Sequence, residues 1–86
     1  MQLVYTKEAT KALLQLPPKI ADAIDKAMDA IAADPVGQHR NVTRLVGSRS
    51  GYRLRRGDWR VLYTVDVAAQ TVFVDKIKPR GEAYKR

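Results

Sequence analysis

Apolar and polar positions alternate from Gln2 to Thr6, and with the β-formers Val4 and Tyr5 this predicts a short strand. The period then changes. Ala9, Ala12, Leu13 and Leu16 recur at helical spacing, which predicts a helix over Lys7 to Gln15 with Thr6 as its N-cap. Pro17-Pro18 ends that helix, and Pro18 suits the first turn of a second one. The second helix runs to about Ala33 on one apolar stripe, Ile20, Ile24, Ala27, Met28 and Ile31, with Asp22, Asp25, Lys26 and Asp29 around it. Asp34-Pro35 followed by Gly37 is a stop signal. Residues 35–51 are the least regular segment, with a short extended piece expected at Val42 to Val46 and a loop at Gly47, Ser48, Ser50 and Gly51. Period two returns in Tyr52–Arg56 and in Trp59–Val65, and Gly57-Asp58 between them predicts a two-residue hairpin turn. Thr71 to Ile77, introduced by a turn at Asp66–Gln70, is an apolar β-branched strand. The order is β-α-α-β-β-β, an α+β fold in which an antiparallel sheet carries a two-helix hairpin on one face.

The hairpin turn converts this string into geometry. Arg56 should pair with Trp59, Arg55 with Arg60, Leu54 with Val61, Arg53 with Leu62 and Tyr52 with Tyr63. Tyr52, Leu54, Val61 and Tyr63 then face the helix-covered core, and Arg53, Arg55 and Arg60 face the other way. Arginine directly opposite arginine repels across a strand pair. A sequence selected for stability alone would avoid that pair, whereas three guanidiniums on one open face suit a phosphate. From the end of the last strand onward, Lys76, Lys78, Arg80 and Lys85 continue the basic run, with Pro79 ending the strand and Gly81 permitting a bend that brings Arg80 and Tyr84 to the same face.

Length and composition narrow the function classes. With 86 residues there is room for a single domain, 1–86, and an apolar fraction of 45% is enough to fold it. The absence of cysteine and the single histidine, His39, leave no disulfide framework and no cluster at metal-ligand spacing, so neither metal nor cofactor is expected. No apolar run reaches the length of a membrane span, and the opening MQLVYTKEAT lacks the layout of a signal peptide, which places the chain in the cytoplasm. The net charge of +7 is unevenly spread. Residues 1–39 hold four lysines against five acids, whereas residues 40–86 hold twelve basic residues, nine of them arginines, against four acids. That asymmetry points to a polyanion, for which arginine is the bidentate ligand of choice.

These residues carry a likeness. The opening strand with KEATKALLQLP, the helix closing in DP, the stretch GYRLRRGDWRVLYTV and the terminal DKIKPRGEAY occur in the order seen in the RelE/ParE toxin superfamily. The third stretch is the specific one. The chain most resembles the RelE-like mRNA endonucleases (mRNA interferases) of type II toxin–antitoxin systems, which implies the RelE-like fold and metal-free cleavage of mRNA on the ribosome. The partners it implies are mRNA, the ribosome and a neutralising antitoxin bound as a hetero-oligomer. The resemblance assigns Arg60, Arg80 and Tyr84 to catalysis and Arg53 and Arg55 to the RNA backbone, with Arg56, Lys76 and Lys78 extending the RNA-binding surface. Two departures stand out. Pro79 occupies the place where the family commonly has histidine, and arginine at both 53 and 55 removes lysine as a proton carrier, because a guanidinium stays charged.

The chemistry expected of this set is attack of a 2′-hydroxyl on the neighbouring phosphorus, with Arg60 and Arg80 on the phosphate and Tyr84 as base or as orienter of the nucleophile. Tyrosine's ordinary pKa of about 10 is high for a base, but surrounding positive charge favours the phenolate. The competing expectation, from the same superfamily, is a ParE-like inhibitor of DNA gyrase that cuts nothing. His39 is read as a surface residue, and Trp59 as the edge of the core.

Overall fold

The computed structural model of this 86-residue chain describes residues 1–80. Its elements are β1 (Gln2–Tyr5), α1 (Lys7–Gln15), α2 (Pro18–Ala33), β2 (Val42–Arg44), β3 (Gly51–Arg56), β4 (Trp59–Asp66) and β5 (Thr71–Pro79). Local chemistry sets the boundaries. The Thr6 hydroxyl accepts the Ala9 N–H at 3.1 Å and so caps α1, while donating to the Asp75 carbonyl at 2.8 Å, which ties the helix start to β5. Pro18 occupies the first turn of α2.

Ile24, Met28 and Ile31 of α2, with Ala9 and Leu16, pack onto Leu54, Val61, Tyr63, Val65, Val72, Val74 and Ile77 of the sheet. Both helices thus cover one sheet face. The expected stripe is the buried one, with Ile20 and Ala27 packed at its margin and Trp59 at the edge of the core.

The strand order is β1-β5-β4-β3-β2. β2 to β5 form an antiparallel meander, but β1 pairs with β5 in parallel, Gln2 opposite Thr71 through Tyr5 opposite Val74. The sheet is therefore mixed rather than wholly antiparallel. The helix pair is the reason: it is the long crossover that parallel pairing needs, carrying the chain from β1 to the far edge so that the meander returns beside β1.

The register between β3 and β4 is the one the turn dictates, from Arg56 opposite Trp59 to Tyr52 opposite Tyr63. Gly57 has φ +57 and Asp58 is not among the positive-φ residues, the sign pattern of a type II′ turn. Between β4 and β5 the register shifts. Leu62 faces Lys76 while Tyr63 faces Val74, so Asp75 is an extra residue in β5. Its carboxylate accepts the Thr64 hydroxyl at 2.7 Å. This bulge lets Val72 and Val74 face the helices together with Ile77, and it turns Lys76 and Lys78 to the opposite side.

Candidate nucleic-acid interface

The sheet face away from the helices carries two rows of side chains across three strands. One row is Arg55, Arg60 and Lys78, directly opposite one another; the next is Arg53, Leu62 and Lys76. Five of the basic positions expected at the site therefore share one face. Arg56, with the opposite parity, lies on the helix side of β3, yet at the end of the strand it still borders the arginine cleft.

That cleft, of about 450 Å³, is lined by Asn41, Arg55, Arg56, Gly57, Arg60 and Arg80. A second cleft of about 350 Å³ is lined by Asn41, Val42, Thr43, Arg53 and Arg55. Asn41 and Arg55 border both. Arg80 is brought in by backbone pairing, its N–H donating to the Asp58 carbonyl at 2.7 Å beside the hairpin turn. Tyr84 lies outside the described residues.

Arg60 departs from a simple open face, for it is only 5% exposed. Its Nη1 donates to the carbonyls of Gly57 at 2.8 Å and Trp59 at 2.9 Å, both belonging to the turn that precedes it. Its Nε is buried without a partner among the described residues. Arg55 is exposed, and its Nη2 donates to Asn41 Oδ1 at 3.2 Å. The facing pair Arg55–Arg60 is thus accommodated by turning each guanidinium to a neutral oxygen, and the positive charge of both is left intact. A buried donor with no acceptor ordinarily costs on the order of 1–3 kcal/mol, and a buried charge held only by carbonyls costs more.

The remaining basic positions differ in commitment. Lys78 is drawn to Glu8 of α1, Nζ to Oε2 at 3.5 Å, an exposed pair of small energetic weight. Lys76 is exposed on the open face. His39, read as a surface residue, is half-buried and bonds the Asp34 carbonyl through Nε2 at 2.6 Å. Two residues lining the arginine cleft carry no signal in the sequence that marks them as part of the site. Asn41 sits in the irregular segment, where nothing marks its side chain for Arg55, and Gly57 was read only as a turn residue although its carbonyl holds Arg60.

The family described as the ParE toxin of the type II toxin–antitoxin system parDE matches residues 3–84. Toxin RelG of Mycobacterium tuberculosis is 31% identical over 84 residues, spanning 95% of this chain and 93% of its own. Among solved structures, the archaeal RelE–RelB complex from Pyrococcus horikoshii matches with a TM-score of 0.80 at 31% identity, covering 93% of this chain and 94% of that one. The isolated RelE toxin of E. coli gives the same TM-score, 0.80, at 22% identity over 96% of this chain and 89% of that one, a likeness of fold. No helix among the described residues is long and apolar enough to cross a membrane.

Proposed function

The chain belongs to the ParE toxin family of type II toxin–antitoxin systems, and on that footing we propose that it is a RelE-like endoribonuclease that cuts mRNA on the ribosome and so stops translation. One observation carries the proposal. Arg60 is a buried guanidinium held by neutral carbonyls, its Nε without a partner among the described residues, and it lines a cleft together with Arg55 and Arg80. The likeness to proteins named RelG and RelE favours the RNA-cutting branch of the superfamily.

In this reading the scissile phosphate enters the arginine cleft. The 2′-oxygen loses its proton and attacks phosphorus, the bond to the 5′-oxygen breaks as that oxygen takes a proton from water, and a 2′,3′-cyclic phosphate and a 5′-hydroxyl result. Arg60 and Arg80 donate to the non-bridging oxygens, whose charge grows in the transition state, and a donor fixed in advance for that charge contributes on the order of 3 kcal/mol. Tyr84 takes the proton of the 2′-hydroxyl or orients it. Arg53 and Arg55, with Lys76 and Arg56, grip the flanking backbone without reading its sequence. The ribosome holds the message in line for attack, which is the entropic part of the barrier. No step assigned here calls on a metal or a cofactor.

A basic face of this kind also calls for a neutralising partner. The Pyrococcus horikoshii toxin was solved bound to RelB. By the same logic this chain pairs with an antitoxin whose acidic segment covers the arginine cleft. A ribosomal target places the toxin in the cytoplasm.

The test is to add the protein to translating ribosomes and map mRNA ends, beside a DNA gyrase supercoiling assay. New 5′ ends within ribosome-bound message, with supercoiling untouched, are expected. Intact message and blocked supercoiling would assign the chain to the gyrase-poisoning side of its family. Arg60→Lys keeps the charge but loses the fork, and is expected to cut about 100-fold more slowly.

A further inference from the structure

We propose that Asn41 is a positioning residue that holds the Arg55 guanidinium at the phosphate cleft, a role that rests on the RNA-binding reading of that cleft. Asn41 lies immediately before β2 with φ +64, the left-handed region that asparagine tolerates better than most side chains. It meets Arg55 twice. Its carbonyl accepts the Arg55 backbone N–H at 2.9 Å, and its Oδ1 accepts from Arg55 Nη2 at 3.2 Å. A guanidinium only donates, so the amide oxygen must be the atom turned towards it. Asn41 is also the residue that, with Arg55, borders both basic clefts.

The need for such a tether follows from the register. Arg55 stands directly opposite Arg60, and repulsion between the two would swing the exposed guanidinium away from the cleft into solvent. An acceptor on the β2 side holds it back. The acceptor is neutral, which matters. A carboxylate at position 41 would hold Arg55 more firmly but cancel the charge intended for phosphate. An amide oxygen fixes the fork and leaves its charge available. The left-handed backbone is what aims that oxygen, so residue type and φ belong to one device.

Asn41→Gly tests this without threatening the fold, because glycine suits φ +64. The readout is fluorescence anisotropy with a labelled single-stranded oligoribonucleotide whose 2′-hydroxyls are methylated, so that it binds but is not cut. Asn41→Gly should weaken binding about fivefold, the worth of one modest hydrogen bond. In an Arg55→Ala background it should change binding by less than roughly twofold, because the tether then has nothing to hold. Asn41→Asp should also weaken binding, by at least as much, while leaving thermal stability unchanged. Equal losses in both backgrounds, or an Asn41→Asp protein that binds as tightly as the parent, overturn the assignment. If the parent binds this RNA but cuts no ribosome-bound message, the nuclease reading falls and the role of Asn41 stands. If the parent does not bind it, both fall.

Discussion

Arg60 is a nearly buried cation whose bonds among the described residues are to neutral carbonyls. Its stem is packed, its charge faces carbonyls, and its Nε meets no acceptor among the described residues. Replacing it with methionine removes a buried charge of a kind that often stabilises a fold when exchanged for a well-packed apolar group. Arg60→Met is therefore expected to unfold at the same or a higher urea concentration than the parent, while mRNA cleavage falls at least 100-fold or so. A marked loss of stability instead would make Arg60 a structural residue. Tyr63 gives an independent residue-scale check. Burial, and then the neighbouring Tyr52 stacked on it at 5.3 Å, push its phenol up to about 12. Below about pH 10 the phenol keeps its proton in both folded and unfolded chains, so stability is unaffected there. Between 10 and 12 the unfolded chain ionises first, and stability falls by up to about 1.4 kcal/mol per pH unit. Urea midpoints measured from pH 8 to 11.5 should be flat and then drop, and Tyr63→Phe should soften the drop. Tyr5, raised by burial and then by its bond to Asp25, leaves part of the fall in place.

The β3–β4 hairpin was the most legible element in the sequence, because a two-residue Gly-Asp turn and strict alternation leave a single register. That register alone decides which arginines share a face. What it could not give was the fate of each guanidinium, since burial of Arg60 depends on carbonyls of its own turn and Arg55 on a residue beyond the strand pair. The turn makes Gly57 a testable hinge of the site. A Cβ there would meet nothing within 4 Å, so the penalty is purely one of backbone conformation at φ +57. Gly57→Ala should cost about 1 kcal/mol, a fall in Tm of roughly 4–8 °C, and should lower cleavage as the carbonyl that holds Arg60 shifts. An unchanged Tm would mean that the turn readily takes another form. In β5 the parity break between Val74 and Ile77 was written in the sequence, as the apolar positions skip from even to odd, yet it takes the bulge at Asp75 to explain it. The parallel seat of β1 had no local signal at all. It follows from where the helix crossover delivers the chain, a long-range property of the fold.

Across the whole molecule, charge is segregated by face as well as by sequence. The helices keep their own acids, as in the Lys26–Asp22 pair, while Arg53, Arg55, Arg60, Lys76 and Lys78 gather on the side of the sheet away from the helices. Binding of single-stranded RNA should therefore weaken steeply with salt, with a slope that reports about 0.7 per phosphate engaged. Arg53→Ala and Lys76→Ala should each reduce that slope by about 0.7, and Lys26→Ala on the helix side should leave it alone. A slope insensitive to Arg53 and Lys76 would move the RNA to another surface. The most direct measurement addresses the phosphate itself. In nitrogen-15 spectra of the guanidinium groups, the Arg60 Nε–H should shift when a 2′-O-methylated RNA is added, as a phosphate reaches the guanidinium that lines the cleft. RNA binding with the Arg60 Nε–H resonance unmoved would contradict the account.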